Sequence, residues 1–247
     1  MREETTGRES LAPSRRNQKG VVGPLHQAGA KYDPYVDRNV VLTLMRAASV
    51  VLVLVAIAAV ALHLANSGDF DPTRFFAFFT IQSNLIGVAV FVWLIARRNK
   101  PRSRRFELLR GAAAVYLTVT FFVVIFLLSG ADVQLDLAWV DFVVHKLFPV
   151  IVVLDWFIDP PVSRLAYRDV LIWLVYPLIW TGLTLVRGAV DGWYPYPFLD
   201  PANGGYGQVA VIVVAIIVGF LAVSAAIIAV GNWRSGRVSH ERDPGLP

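Results

Sequence analysis

The sequence contains no cysteine and only four histidines among 247 residues. Disulfide bonds, thiolate metal sites and a cysteine nucleophile are therefore excluded, and we expect neither a metal centre nor a cofactor. Charged residues are also scarce, at 17%, whereas hydrophobic residues make up 56% and the mean hydropathy is +0.56. This composition is too apolar for an ordinary soluble domain and predicts an all-α integral membrane protein.

The formal net charge of +5 is distributed in a way that is typical of membrane topology. Lysine and arginine lie in short stretches between apolar runs and do not gather on one domain, so we expect no nucleic-acid partner. Membrane lipid or a lipid ester is the expected partner, and the sequence leaves protein partners open.

Six apolar runs are long enough to cross a hydrocarbon layer of about 30 Å. They predict a polytopic membrane protein, a bundle of six transmembrane helices within residues 40–230. A disordered basic cytoplasmic arm (1–39) precedes the bundle, and a short cytoplasmic tail (231–247) follows it. The first run begins too late, and is too long, for a cleaved signal peptide. The runs cover residues 40–65, 75–96, 108–129, 142–158, 170–186 and 209–230.

The charges of the connecting segments predict the orientation of the helices. Cytoplasmic loops carry an excess of lysine and arginine, and here such loops alternate with loops that carry aspartate. We therefore expect both termini on the cytoplasmic side of the cell membrane. The basic residues are Arg97, Arg98, Lys100, Arg102, Arg104, Arg105, Arg164, Arg168, Arg234, Arg237 and Arg242, and the aspartates are Asp69, Asp71, Asp132, Asp136, Asp191 and Asp200.

The second run carries a polar cluster. Thr80, Ser83, Asn84 and Gly87 follow i, i+3, i+4, i+7 spacing and therefore share one helix face, which we expect to look into the bundle. Taken alone, the pattern favours packing, because threonine and serine in membrane helices usually bond a carbonyl one turn back and asparagine joins helices.

A second cluster begins the fourth run. Asp141 and His145 are one helical turn apart, so the carboxylate is placed to orient the imidazole. Pro149 cannot donate an amide hydrogen to the His145 carbonyl, and we expect the helix to kink or admit water there. A lone histidine in a helix is more often a packing residue than a catalyst. Spacing alone does not decide between the two.

The two clusters lie at similar depth in the predicted topology. At 1.5 Å per residue, Thr80 lies roughly 9 Å and His145 roughly 6 Å below the outer boundary. A hydroxyl and an imidazole within reach of each other form a nucleophile and base pair, and the reaction implied is ester hydrolysis. The hypothesis requires Thr80 Oγ1 and His145 to approach within about 4 Å beside a cavity.

Other polar positions within the runs predict structural roles. Asp155 is expected to pair with Arg164, Arg168 or an arginine of the connection between the second and third helices, with a proton or ion path as the alternative. Arg46 and Lys146 have long stems that can reach the membrane surface, and neither is assigned a chemical role.

Three pieces of the chain resemble a six-pass family of androgen-induced integral membrane proteins, whose animal members hydrolyse fatty acid esters of hydroxy fatty acids. The pieces are Phe78-Phe79-Thr80, His145 followed by Pro149, and the aromatic stretch 193–199 before the last helix. The resemblance spans roughly residues 40–230 and implies that Thr80 is the nucleophile and His145 the base. The Gln82-Ser83-Asn84 run and the Asp155-Trp156 pair make the chain more similar to a bacterial branch.

The leading hypothesis is thus an intramembrane lipid-ester hydrolase. Asp141, Gln82, Ser83 and Asn84 would support the Thr80 and His145 pair, with Asn84, Gln82 or the Trp180 indole as alternative donors to an oxyanion. The alternatives are a non-catalytic lipid-binding or scaffold protein and a small transporter, in which Asp155 and the polar face of the second helix line a water path. The expected substrate-pocket residues are Trp193, Tyr194, Tyr196 and Phe198.

Overall fold

A computed structural model describes residues 34–128 and 137–242; the arm before residue 34, Asp132 and Asp136 lie outside this part. Within it every regular element is helical, which confirms the all-α prediction. The helices are α1 (Pro34–Ser67), α2 (Pro72–Phe75), α3 (Phe79–Ala96), α4 (Arg104–Leu127), α5 (Ala138–Phe142), α6 (Phe148–Ile158), α7 (Val170–Asp191) and α8 (Gly205–Arg242). A π-helical turn, Val143–Leu147, joins α5 to α6.

Five described helices, α1, α3, α4, α7 and α8, are long and apolar enough to cross a membrane. The chain is therefore a polytopic membrane bundle. The fourth predicted span differs from the rest. It is helical from residue 138 to 158, but the π turn divides it into α parts of 5 and 11 residues, each too short to cross alone.

The second apolar run is broken where the sequence predicts one helix. Asp71 caps the short α2 by accepting hydrogen bonds from the amides of Thr73 and Arg74. The chain then turns, and Phe78 is extended before α3 begins at Phe79. The break places Thr80 in the first turn of α3, where backbone N–H groups have no partner within the helix.

α4 is the central helix and packs against α3, α6 and α8. All its residues from Ala112 to Leu117 are buried, and small residues there allow close approach of neighbouring helices. A Cβ at Gly111 would lie 2.5 Å from the Trp173 ring, so only glycine fits. Tyr116 donates to the Trp173 carbonyl (2.8 Å), which further joins α4 to α7.

An ion network is buried near one end of the bundle. Asp155 accepts hydrogen bonds from Arg46 (2.7 Å) and Arg110 (2.8 Å), and all three side chains are almost fully buried. The prediction that Asp155 pairs with Arg164, Arg168 or a connecting-loop arginine is therefore wrong. We call Arg46, Arg102, Arg110, Glu107, Asp155 and Asp159 the arginine network.

The arginine network lies beside the connections 97–103 and 159–169, and we call this the basic end of the bundle. The connections 68–78 and 192–204 meet at the other end, where the Phe78 and Trp193 rings are in edge contact with 5.8 Å between their centroids. Arg187 of α7 also donates to the Thr73 carbonyl there (3.0 Å). Both candidate clusters of the sequence analysis, Thr80 and His145, lie toward this second end.

Candidate active site

The π turn places His145 on the inside of the bundle. The Phe148 amide donates to the Val143 carbonyl, five residues back, and His145 lies in the middle of the turn with 8% of its surface exposed. Pro149 is the second residue after the turn and has no N–H to donate to the His145 carbonyl. A π turn stands at the point where the sequence predicts a kink or water, and such turns are frequent at functional sites.

Thr80, His145 and Asp141 form one hydrogen-bonded row. His145 Nε2 lies 3.2 Å from Thr80 Oγ1, and His145 Nδ1 lies 2.8 Å from Asp141 Oδ1. Because an ionised carboxylate only accepts hydrogen bonds, the nitrogen that faces Asp141, Nδ1, is the donor in this pair. In the tautomer with its single proton on Nδ1, Nε2 is the acceptor for the Thr80 hydroxyl. Lys146 donates to the other Asp141 oxygen (3.2 Å) and so holds that carboxylate, a contact the sequence did not predict.

The Tyr196 hydroxyl completes the row on the other side of Thr80. It lies 3.3 Å from both the amide nitrogen and Oγ1 of Thr80. Burial raises the pKa of the Tyr196 phenol, which therefore remains protonated and able to donate. The sequence analysis placed Tyr196 in the pocket wall but did not predict its contact with Thr80. The one feature of the sequence that marks this tyrosine is its position between Pro195 and Pro197.

Asn84 and Ser83 bind the backbone around Thr80 and His145. Asn84 Nδ2 donates to the carbonyls of Thr80 (2.8 Å) and Val144 (3.1 Å) and so joins α3 to the π turn. Ser83 Oγ donates to the Thr80 carbonyl (3.1 Å). Thr80, Ser83, Asn84 and Gly87 are all buried, which confirms that they share an inward face.

None of the three expected oxyanion donors points into the site. Gln82 donates to the Phe76 carbonyl (2.6 Å) and accepts from Tyr176, and the Trp180 indole donates to the Ala77 carbonyl (2.9 Å). Both Asn84 N–H groups are engaged as described above. The Tyr196 hydroxyl, in contrast, lies beside Thr80 Oγ1.

Thr80 stands between two cavities. The larger cavity, of about 610 Å³, is lined by Thr80 and by several charged and aromatic residues. A smaller, nearly apolar cavity of about 80 Å³ lies between α4, α7 and α8 and shares Thr80 and Tyr196 with the first. The larger cavity is lined by Arg74, Asp141, His145, Lys146 and Trp193 among others, and the smaller by Phe79, Thr120, Trp180, Phe198 and Phe220 among others.

The aromatic stretch before α8 divides between these cavities. Trp193 lines the larger cavity, Phe198 the smaller, and Tyr196 both. Tyr194 lines neither and packs against Gly188 of α7, so its assignment to the pocket was wrong. Asp155 also lines neither cavity, and both of its carboxylate oxygens accept hydrogen bonds within the arginine network.

Among the described residues no group of three or more histidine, aspartate or glutamate side chains could hold a metal ion. Comparison with protein-family models, curated proteins and solved structures finds no match for this chain.

Proposed function

We propose that this protein is an intramembrane lipid-ester hydrolase with Thr80 as its nucleophile and His145 as its general base. The observation that carries the proposal is the row from Thr80 Oγ1 through His145 to Asp141, placed beside a cavity. A hydroxyl nucleophile is activated by a neighbouring base, and a third side chain orients that base. The local resemblance to membrane ester hydrolases supports the same assignment.

The reaction follows from the direction of these hydrogen bonds. Thr80 Oγ1 attacks the ester carbonyl carbon while His145 Nε2 takes the hydroxyl proton, and Asp141 stabilises the resulting imidazolium. The C–O bond to the leaving alcohol then breaks, and the imidazolium returns the proton to that oxygen. Water then attacks the acyl-threonine while His145 takes its proton. The bond between the acyl carbon and Thr80 Oγ1 breaks, the imidazolium returns the proton to Oγ1, and the fatty acid leaves.

Tyr196 is the proposed donor to the oxyanion. Its phenol lies within hydrogen-bond distance of Thr80 Oγ1, so it is adjacent to any carbonyl that this oxygen attacks. When the tetrahedral intermediate forms, the phenol hydrogen can turn from Oγ1 to the new negative oxygen. A donor in a water-poor site stabilises that charge more strongly than the ground-state carbonyl.

The two cavities suggest how a lipid ester would lie. The apolar cavity suits part of an acyl chain, whereas the larger cavity, with Arg74, Lys146 and Asp141 in its wall, suits the alcohol part and the leaving group. We also propose that both termini face the cytoplasm, since the basic connections lie together at one end. The site then opens toward the outer leaflet of the cell membrane.

The proposal is tested by labelling the purified protein with a fluorophosphonate probe, which reacts with an activated hydroxyl. Labelling should map to Thr80 by peptide mass spectrometry and should be lost in His145→Gln, since the base is absent. His145→Gln keeps a side chain of similar reach, and its folding is checked by thermal unfolding. Folded wild-type protein that takes no label contradicts the hydrolase and favours a lipid-binding protein in which Thr80 and His145 only join two helices.

Tyr196→Phe is expected to lower the turnover number by about 10²-fold, because it removes one oxyanion donor and little volume. The Michaelis constant should change little, since the phenol acts on the transition state. The measurement is steady-state hydrolysis of a long-chain p-nitrophenyl ester in detergent micelles.

Tyr167→Phe is the matched control, because Tyr167 is exposed near the basic end and far from Thr80. Equal activity of both variants and the wild type would show that Tyr196 has no part in the reaction.

A further inference from the structure

A second large cavity lies at the basic end, apart from the Thr80 site. It measures about 640 Å³, within the range of small-molecule binding sites. Its walls come from α1, from the connection between α3 and α4, and from the turn after α6. Five cations line it: Arg46, Arg97, Arg98, Lys100 and Arg102.

Asp159 is the single acid among the residues that line this cavity, and its charge is already matched. It accepts hydrogen bonds from Arg46 (2.7 Å) and Arg102 (2.6 Å). Burial alone raises the pKa of this carboxyl, but Arg110, Arg102 and Arg46 outweigh burial and hold the pKa well below its ordinary value. Asp159 is therefore ionised at neutral pH, and the three arginines of the arginine network balance its three acids.

Three cations remain without compensation. Arg97, Arg98 and Lys100 are exposed, and none of them forms an ion pair with a residue that the structure describes. Arg97 lies over the Trp93 ring, with 5.6 Å between its Cζ and the ring centroid, and this contact leaves its N–H groups available. Basic residues that only orient a membrane protein do not require a cavity, so the concave arrangement points to an anionic ligand.

One wall of the cavity continues into the surface that faces lipid. Val40 and Val162 line the cavity and are about half exposed or more. From Val40 an exposed apolar stripe follows α1 at helical spacing along the bundle, which suits an acyl chain and not a soluble ligand. Its exposed members are Val40, Leu44, Val51, Val55 and Leu62.

We propose that this cavity binds the phosphate of an anionic membrane lipid, with an acyl chain along the α1 stripe. Arginine forks and a lysine ammonium are the groups that recognise phosphate in proteins. Basic pockets between transmembrane helices provide the same chemistry for lipid headgroups. This site is independent of the proposed hydrolase, since it shares no residue with the Thr80 cavities.

The experiment compares retention of phosphatidylglycerol and phosphatidylcholine on the full-length protein by native mass spectrometry. Wild type should retain phosphatidylglycerol at least about tenfold more tightly than phosphatidylcholine. The variant Arg97→Gln/Arg98→Gln/Lys100→Gln should lose this preference. All three side chains are exposed, so we expect the variant to fold, and an unchanged melting temperature in detergent is the check.

The matched control is Arg105→Gln/Arg164→Gln/Arg168→Gln, which removes three exposed positive charges near the same end, outside the cavity lining. It should keep the preference within about twofold. Equal loss in both triple variants would overturn the proposal and favour a general effect of surface charge. A cavity variant that keeps the preference for phosphatidylglycerol would also overturn it. Displacement of the lipid by glycerol phosphate at equal phosphate concentration would instead identify a soluble phosphate ligand and overturn the lipid assignment.

Discussion

Thr80→Ala is expected to lower ester hydrolysis by at least about 10³-fold, because it removes the oxygen that forms the acyl intermediate. The loss should fall on the turnover number, since the walls of both cavities keep their other residues. The free energy of unfolding should drop by only about 1 kcal/mol, the contribution of an ordinary hydrogen bond. Initial rates on a long-chain p-nitrophenyl ester measure the first effect and detergent-based thermal unfolding the second.

Two further variants separate catalysis from packing. Thr80→Ser keeps Oγ beside His145 Nε2 and should retain measurable activity. Thr118→Ala removes a threonine that only donates to the Ala114 carbonyl (2.7 Å) within α4, so it should retain nearly full activity. Full activity in Thr80→Ala would refute the assignment of the nucleophile, whatever the labelling experiment shows.

Arg110→Met is expected to lower the free energy of unfolding by about 3–5 kcal/mol, the largest stability effect that we predict. The Arg110 guanidinium is buried and donates to the Asp155 carboxylate (2.8 Å) as well as to the carbonyls of Asp155 and Asp159. Methionine fills similar space but leaves three carboxylates facing two arginines. Unfolding in detergent titrated with sodium dodecyl sulfate provides the measurement.

The charge imbalance itself can be tested by a second substitution. Glu107 lies 3.5 Å from Arg110 and 2.7 Å from Arg102, so Arg110→Met/Glu107→Gln restores neutrality in the arginine network. The double variant should recover part of the lost stability. Arg105→Met removes an exposed arginine outside the network and should change stability by less than about 0.5 kcal/mol. If Arg110→Met were as stable as the wild type, the arginine network would contribute nothing to the free energy of unfolding.

Local periodicity accounts for the parts of the site that the sequence predicted. The shared face of Thr80, Ser83, Asn84 and Gly87, and the one-turn spacing of Asp141 and His145, follow from the geometry of a helix. The approach of Thr80 to His145 was predicted from their similar depth in two membrane spans. The structure places these side chains 3.2 Å apart.

Contacts between distant segments account for the errors. Tyr196 reaches Thr80 from a connection 116 residues later in the chain, and Arg46 reaches Asp155 across 109 residues. No hydrophobic period marks either contact. The same holds for Gln82 and Trp180, whose N–H groups bond to backbone carbonyls left free by the break before α3.

The sequence by itself determined that this is an all-helical membrane protein, because long apolar runs can satisfy their backbone hydrogen bonds in lipid only as helices. It also determined which helix faces carry polar groups. Only the tertiary structure decided that α3 begins at Phe79 and that a π turn carries His145. It also decided that Tyr196 contacts Thr80 toward one end of the bundle and that the arginine network forms at the other. These features depend on which helices pack together, and packing in a membrane is set by close contacts between helices that apolar composition does not encode.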